Sequence, residues 1–131
     1  MLVDKVAFLY FRGGKILSTR SKGKDKYYIP GGKRENDETD LQTLVREIKE
    51  ELSVEIIPSS VKLYGIFEAQ AHDKAEGIQV KMTCYTADFE GALTADSEID
   101  EIVWLSILDI NNVSPVDKLI FRDLHEKGLL I

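Results

Sequence analysis

Three glutamates, Glu47, Glu50 and Glu51, stand at i, i+3 and i+4 in the run VREIKEELSV, with Arg46 beside them. Residues three and four apart are neighbours on a helix, and like charges at that spacing repel by about a few tenths of a kcal/mol per pair. Two arrangements tolerate this. Either water screens the charges on a solvated face, or a cation sits among them. Hard divalent cations take oxygen ligands, bridge phosphates and activate water. Three carboxylates within reach of the same ions would serve that chemistry.

The residues upstream favour the second arrangement. Gly32 stands fourteen positions before Arg46, and Glu38 eight before it, in the stretch GKRENDETDLQTLVREIKEELSV. This pattern resembles the signature of the Nudix hydrolases: Gly, five residues, Glu, seven residues, Arg-Glu, an apolar residue, any residue, Glu-Glu, any residue, Gly, and an apolar residue. Gly32, Glu38, Arg46, Glu47, Ile48, Glu50, Glu51 and Val54 occupy those positions. Six glycine or polar identities at fixed spacing arise by chance on the order of once in ten million start positions, at roughly 7% per residue type. One position departs. Ser53 stands where the family has glycine, just past the helix end, and a left-handed backbone there would cost serine on the order of 1 kcal/mol.

The resemblance implies a mixed β-sheet sandwiched between α-helices (α/β/α), an α+β fold over a single domain spanning 1–131. It implies metal-dependent hydrolysis of a phosphoanhydride joining a nucleoside phosphate to another group, with Mg2+ or Mn2+ as cofactor. By resemblance, Glu50 and Glu51 are metal ligands, and Glu47 is a ligand or the group that orients or deprotonates the attacking water. Gly32 would lend its backbone carbonyl or permit a tight loop. Arg46 and Glu38 would hold the ridge in place. Tyr28, Gly31, Gly32 and Lys33 are the expected substrate-binding residues. Glu98, placed with Glu101 in a polar loop, is a further candidate to approach the metals. A homodimer is a common outcome for related domains.

Elements must position these groups. Thr39 with Gln42 fits a capping box. Leu41, Leu44, Val45, Ile48 and Leu52 recur at helical spacing and fall within about 100° of arc, with the glutamate ridge on the flank of that stripe. The spacing predicts a helix from Thr39 to Leu52. LVDKVAFLYF reads as a strand that turns at Gly13-Gly14 into ILSTRS, a hairpin. YYIPGGK is a short extended piece that breaks at Pro30-Gly31-Gly32. VKLYGIFEAQA reads as a strand, HDKAEG as a turn, and IQVKMTCYTADF as a long strand in which Ile78, Val80, Met82 and Cys84 alternate with polar residues. EGALTADSEIDE is a polar loop, and IVWLSILDI returns to strand and turn. Ser114-Pro115 opens a second helix whose apolar face is Val116, Leu119, Ile120 and Leu124, ending at Gly128.

The bulk composition limits the partners. The 131 residues carry a formal net charge of −6, and the sequence pI is about 4.9. A duplex nucleic acid needs a basic footprint, and an anionic membrane attracts basic surfaces, so neither is expected as a partner. An anionic nucleotide must instead be received by local lysines or a metal. Lys22, Lys24 and Lys26 in the loop SKGKDK are candidates, although such a loop is commonly a solvated turn. Tyr27, Tyr28, Phe67, Tyr85 and Trp104 could stack on a base, yet each suits a core, and Tyr28 is the one favoured near the pocket. RGGK is a turn and lacks the remainder of a P-loop. His72 and His125 are isolated, so no histidine metal cluster is expected. The lone Cys84 suits buried packing and allows no intramolecular disulfide, and no signal peptide or membrane-spanning run is evident. These features point to the cytoplasm.

Two further readings stand beside the enzyme. A nucleotide-sensing module of the same fold would bind without turnover, and family members of that kind tend to lose ridge glutamates that this chain keeps. A scaffold domain with an incidental acidic helix would show no metal dependence.

Overall fold

The computed structural model describes residues 2–71, 74 and 76–131. His72 lies outside the described residues, as does part of the expected turn around it. The strands are β1 (Leu2–Leu9), β2 (Phe11–Arg12), β3 (Lys15–Ser21), β4 (Gly31–Lys33), β5 (Glu55–Ile56), β6 (Lys62–Gln70), β7 (Gln79–Thr86), β8 (Phe89–Glu90) and β9 (Ile99–Leu105), and the α-helices are α1 (Asp40–Leu52) and α2 (Pro115–Glu126). A four-stranded sheet runs β4-β1-β7-β6, a three-stranded sheet runs β2-β3-β9, and β5 pairs with β8. The larger sheet is mixed: β1 is parallel to β7, while β1–β4 and β6–β7 are antiparallel.

Strand alternation divides the core into two layers. Val6 and Phe8 of β1 and Leu17 of β3 pack with Leu44, Ile48 and Leu52 of α1. Ala7 and Leu9 of β1, with Val80, Met82 and Cys84 of β7, pack with Val116, Ile120, Phe121 and Leu124 of α2. The sheet thus lies between the two helices, the mixed α/β/α architecture expected. The period-two run of β7 puts its apolar residues on the α2 side, and Cys84 is buried there. Full burial of Leu44, Ile48 and Leu52 stabilises the docking of α1 by roughly 1.5–3 kcal/mol per side chain.

Both helix starts follow local chemistry. Thr39 caps α1: its Oγ1 accepts from the Gln42 N–H at 3.2 Å, and Gln42 Oε1 accepts from the Thr39 N–H at 2.9 Å. Ser53 ends α1 in the left-handed region, with φ 60° and ψ 28°, and its N–H donates to the Lys49 carbonyl. Ser114 precedes α2 with Pro115 in the first turn, though its side chain makes no capping hydrogen bond.

Four expectations need correction. Leu41 is 39% exposed and Leu119 is 38% exposed. Each lies at the margin of its stripe, and Phe121, not Leu119, completes the buried face of α2. Gly31–Lys33 is a strand and not a break: β4 pairs with β1 from Lys5 beside Lys33 to Ala7 beside Gly31. Glu101 belongs to β9, where it accepts from Arg20 Nε at 3.0 Å and from the Tyr27 hydroxyl at 2.6 Å. Among the described residues, no helix is long and apolar enough to cross a membrane.

Candidate active site

The segment 27–33 is fastened residue by residue. Tyr28 exchanges backbone hydrogen bonds with Thr19 of β3, each at 2.8 Å, and the Phe8 N–H donates to the Pro30 carbonyl at 2.9 Å. The Ile29 N–H donates to Asp117 Oδ2 at 3.1 Å, and the Gly31 N–H to Glu51 Oε1 at 3.2 Å. Position 31 accepts only glycine. Its φ is +149°, and a β-carbon there would lie 2.0 Å from the Val6 carbonyl oxygen.

Arg46 organises one end of the acidic ridge. Its Nε and Nη2 donate to the two oxygens of Glu38 at 2.8 and 2.9 Å, a bidentate pair. Its Nη1 donates to Glu47 Oε1 at 2.8 Å, and Nη2 to the Lys33 carbonyl at 3.0 Å. One guanidinium therefore ties the loop after β4 to the helix. Arg46, with the Glu35 N–H next, holds the Glu38 carboxyl down to about 2. Glu50 is half-exposed and lies 3.5 Å from Arg46.

Glu51 is different: it is 7% exposed. Burial first, then the charge of Glu47, pushes its carboxyl up to about 8, against the pull of the Gly31 N–H and Lys5. Burial also raises Glu47, opposed by Arg46. Two neighbouring carboxylates thus lack full compensation by protein cations. Backbone bonds from Asp96 to the Glu51 carbonyl and from Thr94 to the Leu52 carbonyl complete the end of α1. They bring the following loop, with Glu98, close enough for its charge to act on Glu51.

Among the described residues, no three carboxylate, histidine or cysteine side chains already converge as a closed metal site. The donor set is nevertheless all oxygen, and Glu47 and Glu51 are carboxylates whose ionised forms a cation would favour. That chemistry fits a hard divalent ion.

A cleft of about 330 Å³ opens beside Glu51. Tyr28, Gly31, Gly32, Lys33, Glu98, Lys22 and Lys24 line it; Lys26 instead donates to the Asn111 carbonyl. The other aromatic candidates lie elsewhere. Tyr27 and Phe67 pack against the α2-side core, Tyr85 donates to Asp40, and Trp104 packs against the α1-side core with Arg12 over its ring.

Sequence reasoning missed Asp117, which also lines the cleft and is 1% exposed. Burial pushes its carboxyl up to about 7, against the Ile29 N–H. The Ser114 hydroxyl is close enough to pull that pKa down, yet among the described residues neither Ser114 Oγ nor Asp117 Oδ1 makes a hydrogen bond of full geometry, and both are buried. The signal was present: Asp117 precedes Phe121 by one helical turn, so a carboxylate sits on the buried stripe of α2.

The NUDIX domain pattern matches residues 2–124. The chain belongs to the Nudix family. It is 33% identical over 110 residues to the CTP pyrophosphohydrolase of Escherichia coli K12, covering 80% of this chain and 76% of that one. The solution structure of the E. coli ORF135 protein superposes with a TM-score of 0.69 at 28% identity, covering 95% of this chain and 89% of that one. The MutT protein from Methanosarcina mazei Go1 superposes with a TM-score of 0.77 at 18% identity, covering 97% and 95%. This Nudix protein is a hydrolase of the pyrophosphohydrolase type.

Proposed function

We propose that this Nudix hydrolase cleaves a nucleoside triphosphate, using Mg2+ or Mn2+. Water adds to a phosphorus of the anhydride, the bridging P–O bond breaks, and pyrophosphate leaves. Glu47, Glu50, Glu51 and the Gly32 carbonyl would hold the ion, which neutralises phosphate oxygens and activates water when bound. The observation that carries this reading is the pair Glu47–Glu51. Two like carboxylates are driven together by the fold, one of them almost fully buried, beside a cleft lined with lysines.

The protein's own groups have separate tasks. Arg46 fixes the Glu47 carboxylate, and Glu38 fixes Arg46, so the ridge is held before substrate arrives. Glu47 is a ligand or takes the proton of the attacking water. Lys22, Lys24 and Lys33 face the cleft and suit the polyphosphate. Tyr28 borders the same space and suits the base face. Asp117 offers its unpartnered Oδ1 to an N–H on the base edge. The reading also suits the cytoplasm, where free nucleotides abound and Cys84 stays reduced.

The test is a panel of nucleoside triphosphates headed by CTP, the substrate in the name of the E. coli relative. Pyrophosphate release would be followed with Mg2+, with Mn2+ and with chelator. Release that requires metal is expected. Tight nucleotide binding with no release under any condition would overturn the proposal in favour of a sensor.

A further inference from the structure

Lys5 breaks the pattern of its strand. Val3, Ala7 and Leu9 of β1 all pack on the α2 side of the sheet, and Lys5 occupies the same row between them. Register confirms the placement, since Lys5 lies beside Met82 of β7, whose side chain belongs to the α2-side core. An ammonium at such a position is costly unless something compensates it. Among the described residues, the Lys5 side chain makes no hydrogen bond and no ion pair. It lines the cleft and feels the charges of Asp117 and Glu51, together with those of Lys33 and Lys74. Burial lowers its pKa, with Asp117 opposing the shift.

A partly buried cation whose donors meet no partner among the described residues thus shares the cleft with a fully buried carboxylate whose Oδ1 is likewise unpartnered there. Donor and acceptor are supplied from two different elements, β1 and α2. The Watson–Crick edge of each nucleobase presents an N–H beside a carbonyl or imine acceptor, in an order and position that differ from base to base, as in the N4–H and N3 of cytosine, so a fixed donor–acceptor pair matches one base better than the others. A phosphate would need only the cation, and the exposed Lys22, Lys24 and Lys33 line the same cleft for it. We infer that Lys5 is a specificity-determining residue, donating to the acceptor atom of the nucleobase edge whose neighbouring N–H goes to Asp117. This rests on the nucleotide-hydrolase reading above. A site built to hydrogen-bond a polar edge rejects a base that leaves those groups unpaired, so the pair would set base preference and not merely affinity.

The experiment compares wild type with Lys5→Met on the four ribonucleoside triphosphates and CTP's deoxy form, with metal present. Expected is a loss of about 10- to 100-fold in kcat/KM on the preferred base, carried mainly by KM, with smaller losses on the poorer bases, so that discrimination collapses. The thermal midpoint of Lys5→Met should equal or exceed that of wild type, because an unpaired cation is replaced by an apolar chain of similar length in an apolar row. A uniform loss across all bases would assign Lys5 to the phosphates and overturn the inference. Unchanged kinetics would overturn it too, as would a marked fall in the thermal midpoint, which would make Lys5 structural. If wild type hydrolyses none of the nucleotides, it is the functional proposal that fails.

Discussion

A β-carbon on Gly32 would lie 2.4 Å from Cδ of Glu47, so β4 and this carboxylate meet only because position 32 has no side chain. The atoms in the way are the far end of a flexible side chain, so Gly32→Ala is expected to displace Glu47 and leave the fold intact. Displacement on the ångström scale can cost about 100-fold in rate. Steady-state kinetics with a thermal melt would show this as lost kcat at a nearly unchanged midpoint. Gly31→Ala should behave oppositely. There the added carbon meets the Val6 carbonyl oxygen at 2.0 Å, which is backbone of the adjoining strand, so stability should fall first.

Glu51 and Asp117 give the metal-free protein a pH dependence of definite sign. A carboxyl whose pKa is higher in the folded than in the unfolded chain loses stability as it ionises. Glu51 is pushed from 4.5 to about 8, and Asp117 from 3.8 to about 7. Stability in chelator should therefore fall as pH rises from about 5 to 8. Glu51→Gln should flatten the upper part of that slope, while cutting hydrolysis at least about 100-fold. Urea denaturation across the pH range checks the first outcome, and a stability that rises through this window would contradict it.

Ser53 holds φ at 60°, where the family pattern has glycine. Ser53→Gly should relieve on the order of 1 kcal/mol of left-handed strain, raising the thermal midpoint by about 4 °C. It should leave kcat unchanged, since Ser53 does not line the cleft. Calorimetry beside a rate assay separates the two outcomes.

Much of this was legible in the sequence, and the reasons differ by element. The helix over Thr39–Leu52 was legible because its cap and apolar stripe are local, so Thr39 with Gln42, and Leu44 with Ile48 and Leu52, announce it without tertiary information. The alternation of β7 was legible for the same reason. Long-range geometry was not. The strand at Gly31–Lys33 exists because β1 lies alongside, and nothing local to Pro30-Gly31-Gly32 specifies that partner. Glu101 looked like loop because its strand partner, β3, is distant in sequence. Asp117 and Lys5 were overlooked since each is a single charge in an otherwise apolar pattern, and only the packing of α2 on β1 and β7 brings them to one cleft.

The central claim is that Glu47 and Glu51 are held ready for a divalent cation. Titration of the purified protein with Mn2+, following free Mn2+ by electron paramagnetic resonance, tests it without any nucleotide. The wild type is expected to bind Mn2+, and the Glu47→Gln/Glu51→Gln double variant to lose that binding while keeping its folded circular dichroism spectrum. Equal Mn2+ binding by the two proteins, or none by wild type with or without a non-hydrolysable nucleotide, would contradict it.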